Sequence, residues 1–216
     1  MEILKKILNI FTPQKDGTPQ FVDLGLPSGL KWAKCNLGAK TETDYGNYYM
    51  WGSTEPNTTE ECNWVNAPFN NGSDSYNEEY FTTHKSEWLD DKDNLKPEYD
   101  AAYKATNGMG RMPTRGEIQE LLSGTINEWI HDYKGTGVNG RKFTSKTDAS
   151  KYIFIPAAGH CYNGSVGTVG DDGVVWSSSF NTSYPYSAWY LYFNSGDCGM
   201  YGILHYFGRP IRTVTD

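Results

Sequence analysis

Apolar and polar-tipped residues alternate strictly in the run Ala188–Asn194. Successive residues of a β-strand point to opposite faces of a sheet, so this run divides into two sets. One set is Trp189, Leu191 and Phe193, and the other is Ala188, Tyr190 and Tyr192. We expect the first set to lie in the core. The tyrosines combine large apolar rings with hydroxyl groups, which is typical of a surface that contacts a partner.

The stretch Gly199–Phe207 has no clean period of either two or about 3.6 residues, and it contains no charged residue. Such a mixture of glycine, aliphatic and aromatic residues is unusual for a solvated loop. We therefore interpret the chain from about residue 184 to 207 as a display surface built on a rigid strand, with the rest as scaffold.

Several other segments have the pattern of strands. Phe21–Cys35 contains two short apolar runs around Pro-Ser-Gly, which predicts a β-hairpin. Later strands are predicted at Lys142–Thr144, Tyr152–Pro156, Val174–Ser178, Ala188–Phe193 and Pro210–Val214. Strands at both ends with helices between them predict an α+β domain of short antiparallel strands, whose two ends meet in one sheet.

Three segments have the pattern of helices. The apolar residues of Glu2–Phe11 fall on one helical face, which predicts a short amphipathic helix. Pro97–Ala105 begins with proline followed by acidic residues, as helix starts prefer. Thr114-Arg-Gly-Glu117 is a capping-box pattern, and the apolar face after it ends at Gly124.

A helix as short as Glu2–Phe11 is marginal in water by itself, so it must pack on something. Its own domain, a second copy of the chain and a larger assembly all remain open. A homo-oligomer formed through this helix is therefore one alternative. We assign residues 1–20 to the helix and a polar linker, and residues 21–216 to one ligand-binding domain.

The segment between Gly52 and Lys96 is polar, rich in Asn, Thr, Glu and Asp, and contains scattered aromatic residues. We predict a long insertion of irregular structure that its aromatic rings anchor. The run Tyr45–Trp51 before it is expected to be half-buried.

Composition limits the range of functions. The chain has 216 residues, of which 38% are hydrophobic, enough for one substantial core. Its net charge is −7 with no basic patch beyond Lys5-Lys6, so nucleic acid is not an expected partner. No stretch is long enough to cross a bilayer, and we see no signal peptide or lipobox. The compartment stays open, with a phage virion or a cell surface as the candidates.

We find no catalytic or metal-binding pattern. The four cysteines lack C-x-x-C spacing, which favours buried free thiols over two disulfides, and the histidines lack the H-E-x-x-H spacing. Trp176-Ser-Ser-Ser179 lacks the glycines of a nucleophile elbow. Glu55-Pro56-Asn57 matches a calcium-lectin triplet, but the chain has no Trp-Asn-Asp motif to complete a site. We predict a protein without enzymatic activity, metal or cofactor, in which Arg111, with Arg209 or Arg212, forms buried charge pairs.

Five segments in a fixed order resemble one known family. They are Val22-Asp-Leu-Gly-Leu-Pro-Ser-Gly-Leu-Lys-Trp-Ala, Tyr48-Tyr-Met-Trp-Gly-Ser-Thr-Glu-Pro56, Arg111-Met-Pro-Thr114, Ile155-Pro-Ala-Ala-Gly159 and Trp176-Ser-Ser-Ser179. Together they are similar to the Fibrobacter major paralogous domain, a member of the formylglycine-generating-enzyme-like branch of the C-type lectin fold. The resemblance implies that fold from about Phe21 onwards. Some relatives oxidise a cysteine with paired thiols, but Cys161 and Cys198 match no such pattern.

Variable proteins of diversity-generating retroelements, such as phage tropism determinants, also belong to this branch. Their genes are randomised at adenines near the 3′ end, often in Asn codons. On this resemblance we nominate twelve residues that an altered Asn codon can encode as variable, ligand-binding positions. They are Tyr186, Ser187, Tyr190, Tyr192, Gly199, Tyr201, Gly202, Ile203, Leu204, His205, Tyr206 and Phe207. Tyrosine, serine and glycine are also the residues that dominate antibody paratopes.

The resemblance therefore implies a protein that binds a protein or glycan ligand, such as a cell-surface receptor, through a solvent-facing hypervariable surface. Trp189, Leu191, Phe193 and Met200 would hold the backbone while their neighbours vary. The alternative is an invariant bacterial surface adhesin or glycan-binding member of the same domain family.

Overall fold

The computed structural model describes residues 19–72 and 77–216, and the predicted helix Glu2–Phe11 lies outside them. The described part combines helices with antiparallel sheets, so the predicted α+β class is confirmed. Its α-helices are α1 (Glu78–Trp88), α2 (Ala101–Ala105) and α3 (Arg115–Gly124). Short 3-10 turns occupy Pro97–Tyr99 and Tyr133–Gly135.

The strands of the described residues form three three-stranded sheets and one hairpin. Their bounds are β1 (Phe21–Asp23), β2 (Lys31–Ala33), β3 (Thr125–Ile130), β4 (Gly140–Ser145), β5 (Tyr152–Pro156), β6 (His160–Tyr162), β7 (Ser165–Gly167), β8 (Gly173–Phe180), β9 (Ser187–Phe193), β10 (Cys198–Leu204) and β11 (Val214–Thr215).

The two ends of the described chain meet in one sheet, as predicted. Its strand order is β1-β2-β11, and both outer strands are antiparallel to β2. Trp32 in β2 pairs with Val22 on one side and Val214 on the other, and its side chain is fully buried. The strand predicted at Pro210–Val214 is shorter in the structure and begins only at Val214.

The sheet β10-β9-β8 lies in the middle of the molecule, and hydrophobic clusters cover both of its faces. Leu191 and Phe193 pack in one cluster with β5 and α3, whereas Tyr190 packs in the other with the aromatic rings of Trp51 and Trp88. All eight residues of β8 are buried. Strand β10 forms the outer edge of the sheet.

The insertion between Gly52 and Lys96 is not wholly irregular, because it contains α1. Asn77 caps this helix by accepting a hydrogen bond from the backbone N–H of Tyr80 at 3.0 Å. Phe81 and Trp88 anchor it in the core, as expected of aromatic residues in this segment. The prediction missed the helix because only these two of its residues are buried, so the segment lacks a continuous apolar face.

Helix α3 begins with the predicted capping box. The Thr114 hydroxyl accepts from the Glu117 N–H at 3.3 Å, and the Glu117 carboxylate accepts from the Thr114 N–H at 2.7 Å. Arg111 forms two hydrogen bonds with the same carboxylate, at 2.6 and 2.8 Å, so its predicted charge pair is confirmed, although the pair is half-buried and not buried as expected. This pair and the box lower the pKa of Glu117 against the opposing effect of burial.

The charge pairs predicted for Arg209 or Arg212 are wrong, because neither forms an ion pair within the described residues. Arg212 is fully buried and donates to the Asn36 side chain and to the carbonyls of Ala33 and Phe154. The guanidinium of Arg209 lies 3.9 Å from the centre of the Tyr190 ring. Burial lowers the pKa of each arginine to about 10.

Candidate functional site

The twelve nominated residues lie on β9, on β10 and in the segments that flank them. The two strands pair in antiparallel register, which places Tyr201 opposite Tyr190 and Gly202 opposite Trp189. The prediction found no strand in Gly199–Phe207, but most of that stretch belongs to β10. The missing periodicity has a physical reason: β10 is an edge strand, and the burial of its residues does not alternate.

Five of the nominated residues line one concavity of about 380 Å3. It is bounded by β9, the end of β10 and the loop before β9. The nominated residues that line it are Tyr186, Ser187, Gly202, Ile203 and Leu204, and the others are Asn181, Tyr184 and Trp189. Aromatic walls with an amide and a hydroxyl nearby are the usual composition of a ligand-binding pocket.

Backbone hydrogen bonds hold the loop between β8 and β9 in a fixed shape. The Asn181 N–H donates to the Ser187 carbonyl at 3.1 Å, and the Ser187 N–H donates to the Tyr184 carbonyl at 2.9 Å. The Ser187 hydroxyl also donates to that carbonyl, at 3.0 Å. Tyr184 itself is 57% exposed. This wall of the concavity is therefore preorganised, while its outermost ring stays accessible.

Gly202 leaves space at the wall of the concavity. A Cβ atom at this position would lie 2.7 Å from the Asn181 amide nitrogen and 3.5 Å from the Ser187 hydroxyl. The first distance is shorter than real Cβ contacts, so a side chain at residue 202 would displace Asn181 or occupy the concavity.

Trp189 was expected in the core, but it is only half-buried and lines the concavity. The guanidinium carbon of Arg115, at the start of α3, lies 3.6 Å from the centre of its ring. Stacking of a guanidinium on an indole is favourable and holds the ring in one orientation. Helix α3 thus contributes to the candidate site through Arg115, which the sequence did not single out.

A second group of nominated residues forms a tyrosine cluster beside the concavity. The rings of Tyr192 and Tyr201 are 5.6 Å apart and nearly perpendicular. The Tyr192 hydroxyl donates to Asp172 at 2.8 Å, and the Tyr201 hydroxyl donates to Asp197 at 2.6 Å. Of the two rings, Tyr201 is the more accessible, at 43% exposure.

Four nominated residues do not face solvent, so this part of the prediction is wrong for Ser187, Tyr190, His205 and Tyr206. Tyr190 is 9% exposed because Arg209 and the core around Trp176 cover its ring. Tyr206 packs against Trp64, with ring centres 4.5 Å apart. Whether these four residues bind a ligand stays a prediction. Because the core is closely packed, we expect the fold to tolerate only substitutions of similar size and polarity at these positions.

Aromatic rings surround the His205 side chain. Its ring stacks on Trp51 at 4.5 Å between centres and meets Phe81 edge-on at 5.1 Å. The side chain is fully buried, and this burial lowers the pKa of His205 to about 3. His205 is therefore neutral near pH 7 and contributes packing to the base of the site.

Phe207 belongs to a separate aromatic patch on the hairpin β6–β7. Its ring lies 4.9 Å from that of Tyr162 and 5.4 Å from that of His160. Gly199 pairs with Tyr192 across the strands. The nominated residues are thus divided between the concavity, the tyrosine cluster, the patch around Phe207 and the core.

Asn181 and Tyr184 also line the concavity but are not among the twelve nominated residues. The polar run Asn181-Thr-Ser-Tyr-Pro185 before the last alternating strand was the available signal, because such runs form loops next to strand ends.

The triplet Glu55-Pro56-Asn57 has a local structural contact. The side-chain amide oxygen Oδ1 of Asn57 accepts from the Met50 N–H at 2.8 Å. Within residues 19–72 and 77–216, no three His, Cys, Asp or Glu side chains form a group that could hold a metal ion. None of the helices in these ranges is long and apolar enough to cross a membrane.

Comparison of the chain with protein-family models, with curated proteins and with solved structures finds no match. The family resemblance and the function that it implies therefore stay predictions.

Proposed function

We propose that this chain is a ligand-binding protein with a C-type lectin fold, whose C-terminal surface is diversified by a retroelement. The concavity and the adjoining tyrosine cluster bind a protein or glycan on a cell surface. The protein carries out no chemistry. Its core strands hold the backbone in place while the accessible side chains set which ligand is bound.

The observation that carries this proposal is the grouping of nominated residues around one concavity. Sequence composition and codon reasoning selected twelve positions, and five of them, from two separate segments of chain, line the same space. The adjoining Tyr201 is accessible, and its hydroxyl donates a hydrogen bond to Asp197. Rigid tyrosines give a large contact area at low entropic cost, which suits a binding surface.

The chemistry of the concavity fits a ligand with both apolar and polar groups. Trp189, Tyr184 and Tyr186 offer ring faces and edges, and the Asn181 amide offers a donor and an acceptor. A sugar ring or an amphipathic peptide side chain presents this combination. Among the described residues, the lining side chains are all neutral, so charge attraction is not the expected source of affinity.

Deep sequencing of this locus across a cell population tests the diversification. We expect substitutions at the codons of accessible positions such as Tyr186, Tyr201 and Gly202, at adenines of an Asn-type template. The codons of Leu191 and Phe193, whose side chains are fully buried, serve as internal controls and stay constant. A uniform sequence over all these codons would refute the diversification and leave an invariant adhesin or glycan binder.

Binding is tested with arrays of bacterial surface glycans and surface proteins, probed with the folded chain. Tyr184→Ser combined with Tyr186→Ser removes two rings from the concavity and should lower a specific signal at least tenfold. Tyr103→Ser is the matched control, because Tyr103 is 40% exposed but does not line the concavity. Equal losses in both variants would contradict the assignment of the site.

A further inference from the structure

Cys62 and Cys161 lie against each other although they are 99 positions apart in the chain. Their sulfur atoms are 2.8 Å apart, and both side chains are fully buried. Both are free thiols in the structure, and their separation is shorter than the usual contact between two unbonded sulfur atoms. The other cysteines, Cys35 and Cys198, are half-buried and have no such neighbour among the described residues.

Backbone hydrogen bonds on both sides hold the two cysteines together. The Asn163 N–H donates to the Cys62 carbonyl at 3.0 Å, and the Gly164 N–H donates to the Thr59 carbonyl at 2.9 Å. Cys161 also exchanges two backbone hydrogen bonds with Gly208, at 2.8 and 2.9 Å. The sulfur contact is therefore set by the fold.

Glycine at position 208 makes room for the pair. A Cβ atom there would lie 2.6 Å from the Cys62 sulfur and 2.9 Å from the Cys161 Cβ. Any side chain would push the two thiols out of place. The segment that follows β10 thus lies directly over the sulfur atoms.

We propose that Cys62 and Cys161 are a site of intramolecular disulfide formation. The oxidant is a disulfide of the glutathione class, which reacts by thiol–disulfide exchange. The first thiolate attacks the oxidant and releases one thiol, and the second thiolate then attacks the mixed disulfide and releases the other. The protein loses two thiol protons and two electrons, and the oxidant becomes two thiols.

The thiolate is the reactive form of cysteine, and the oxidant must reach it before it can attack. Because both side chains are buried, the exchange takes place during folding, before the segment around Cys62 closes over β6.

The bond would join the insertion before α1 to β6, which is hydrogen-bonded to the segment that carries Tyr206 and Phe207. Tyr206 packs on Trp64, two residues beyond Cys62, and Phe207 immediately precedes Gly208. A disulfide limits the conformations of the unfolded chain, and its effect grows with the length of the closed loop. The inference concerns the scaffold and does not depend on the proposed ligand.

The test counts free thiols after refolding in a buffer of oxidised and reduced glutathione. The protein is denatured without reductant, treated with iodoacetamide and weighed by mass spectrometry. We expect two alkylated cysteines without reduction and four after reduction, and a peptide map that links Cys62 to Cys161. Four alkylated cysteines without reduction, or a link that involves Cys35 or Cys198, would overturn the proposal.

A variant with Cys35→Ser and Cys198→Ser keeps the pair and removes the other thiols. Its melting temperature should be roughly 5–15 °C higher oxidised than reduced. The variant with Cys62→Ser and Cys161→Ser is the matched control and should show no such difference. Equal melting temperatures of the first variant in both redox states would count against the bond, even if the control fails to fold.

Discussion

Gly202 shows how one missing side chain shapes the candidate site. A Cβ atom at this position would meet the Asn181 side chain, which lines the concavity. Gly202 is exposed and lies on an edge strand, so we expect a larger residue there to alter the concavity without breaking the core.

We expect Gly202→Phe to lower ligand affinity at least tenfold, because the ring fills the concavity or displaces Asn181. The melting temperature should change by only a few degrees. Gly116→Phe is the matched control, since Gly116 is exposed in α3 and a Cβ there meets nothing closer than 4.0 Å. Titration calorimetry with the ligand found on the arrays measures the effect. Unchanged affinity would place the ligand elsewhere.

The burial of His205 predicts that the free energy of unfolding depends on pH. Its pKa is about 3 in the folded protein and about 6.5 in an unfolded chain, so the unfolded state binds more protons between these values. Stability is therefore retained above pH 6.5 and lost as pH falls from 6.5 towards 3. At pH 4 the loss should be of the order of 3 kcal/mol.

His205→Phe should weaken this dependence on pH, because phenylalanine can pack among the surrounding aromatic rings and does not titrate. Urea unfolding at pH 7 and pH 4 measures the difference in the free energy of unfolding. His131→Phe is the control, because His131 is exposed. If both variants keep the same acid dependence as the unsubstituted protein, another group is responsible for it.

Among the elements, α3 was predicted well because its start is encoded locally. Thr114 and Glu117 form hydrogen bonds within one turn of the helix, so a four-residue pattern contains the information. The alternation in β9 was also correct, but the burial of its faces was not. Arg209 and Trp176, which lie outside this strand, cover the ring of Tyr190, and the pattern within the strand does not encode their packing.

Thr114→Ala should lower the free energy of unfolding by about 1 kcal/mol through loss of the N-cap. Because Arg115 follows directly and stacks on Trp189, the change should also raise the mobility of that indole. Urea unfolding and tryptophan side-chain NMR order parameters measure the two effects. Thr114→Ser keeps the capping hydroxyl and should leave both near their original values. A stable variant with a mobile Trp189 would mean that the cap positions the site without stabilising the fold.

For the whole molecule, the sequence indicated the class, the hairpin at the N-terminal end and the closure of the two ends in one sheet. It did not indicate the concavity as such. The shape of the concavity depends on the position of the Asn181 loop relative to Gly202 in β10. These two segments do not pair with each other directly, because β9 lies between β8 and β10 in the sheet. The twelve nominated positions were selected by residue type. Residue type alone does not distinguish an exposed tyrosine such as Tyr201 from one that is buried beneath an arginine, such as Tyr190.

The sheet β1-β2-β11 has a mechanical consequence. Phe21 lies opposite Ala33 at one end of β2, whereas Thr215 lies opposite Lys31 at the other end. A force that pulls Phe21 and Thr215 apart acts along the strands and loads the hydrogen bonds on both sides of β2 in shear. These bonds must then break together and cannot open one after another. A load applied between these two residues would therefore be resisted at this sheet, whose central strand carries the buried Trp32.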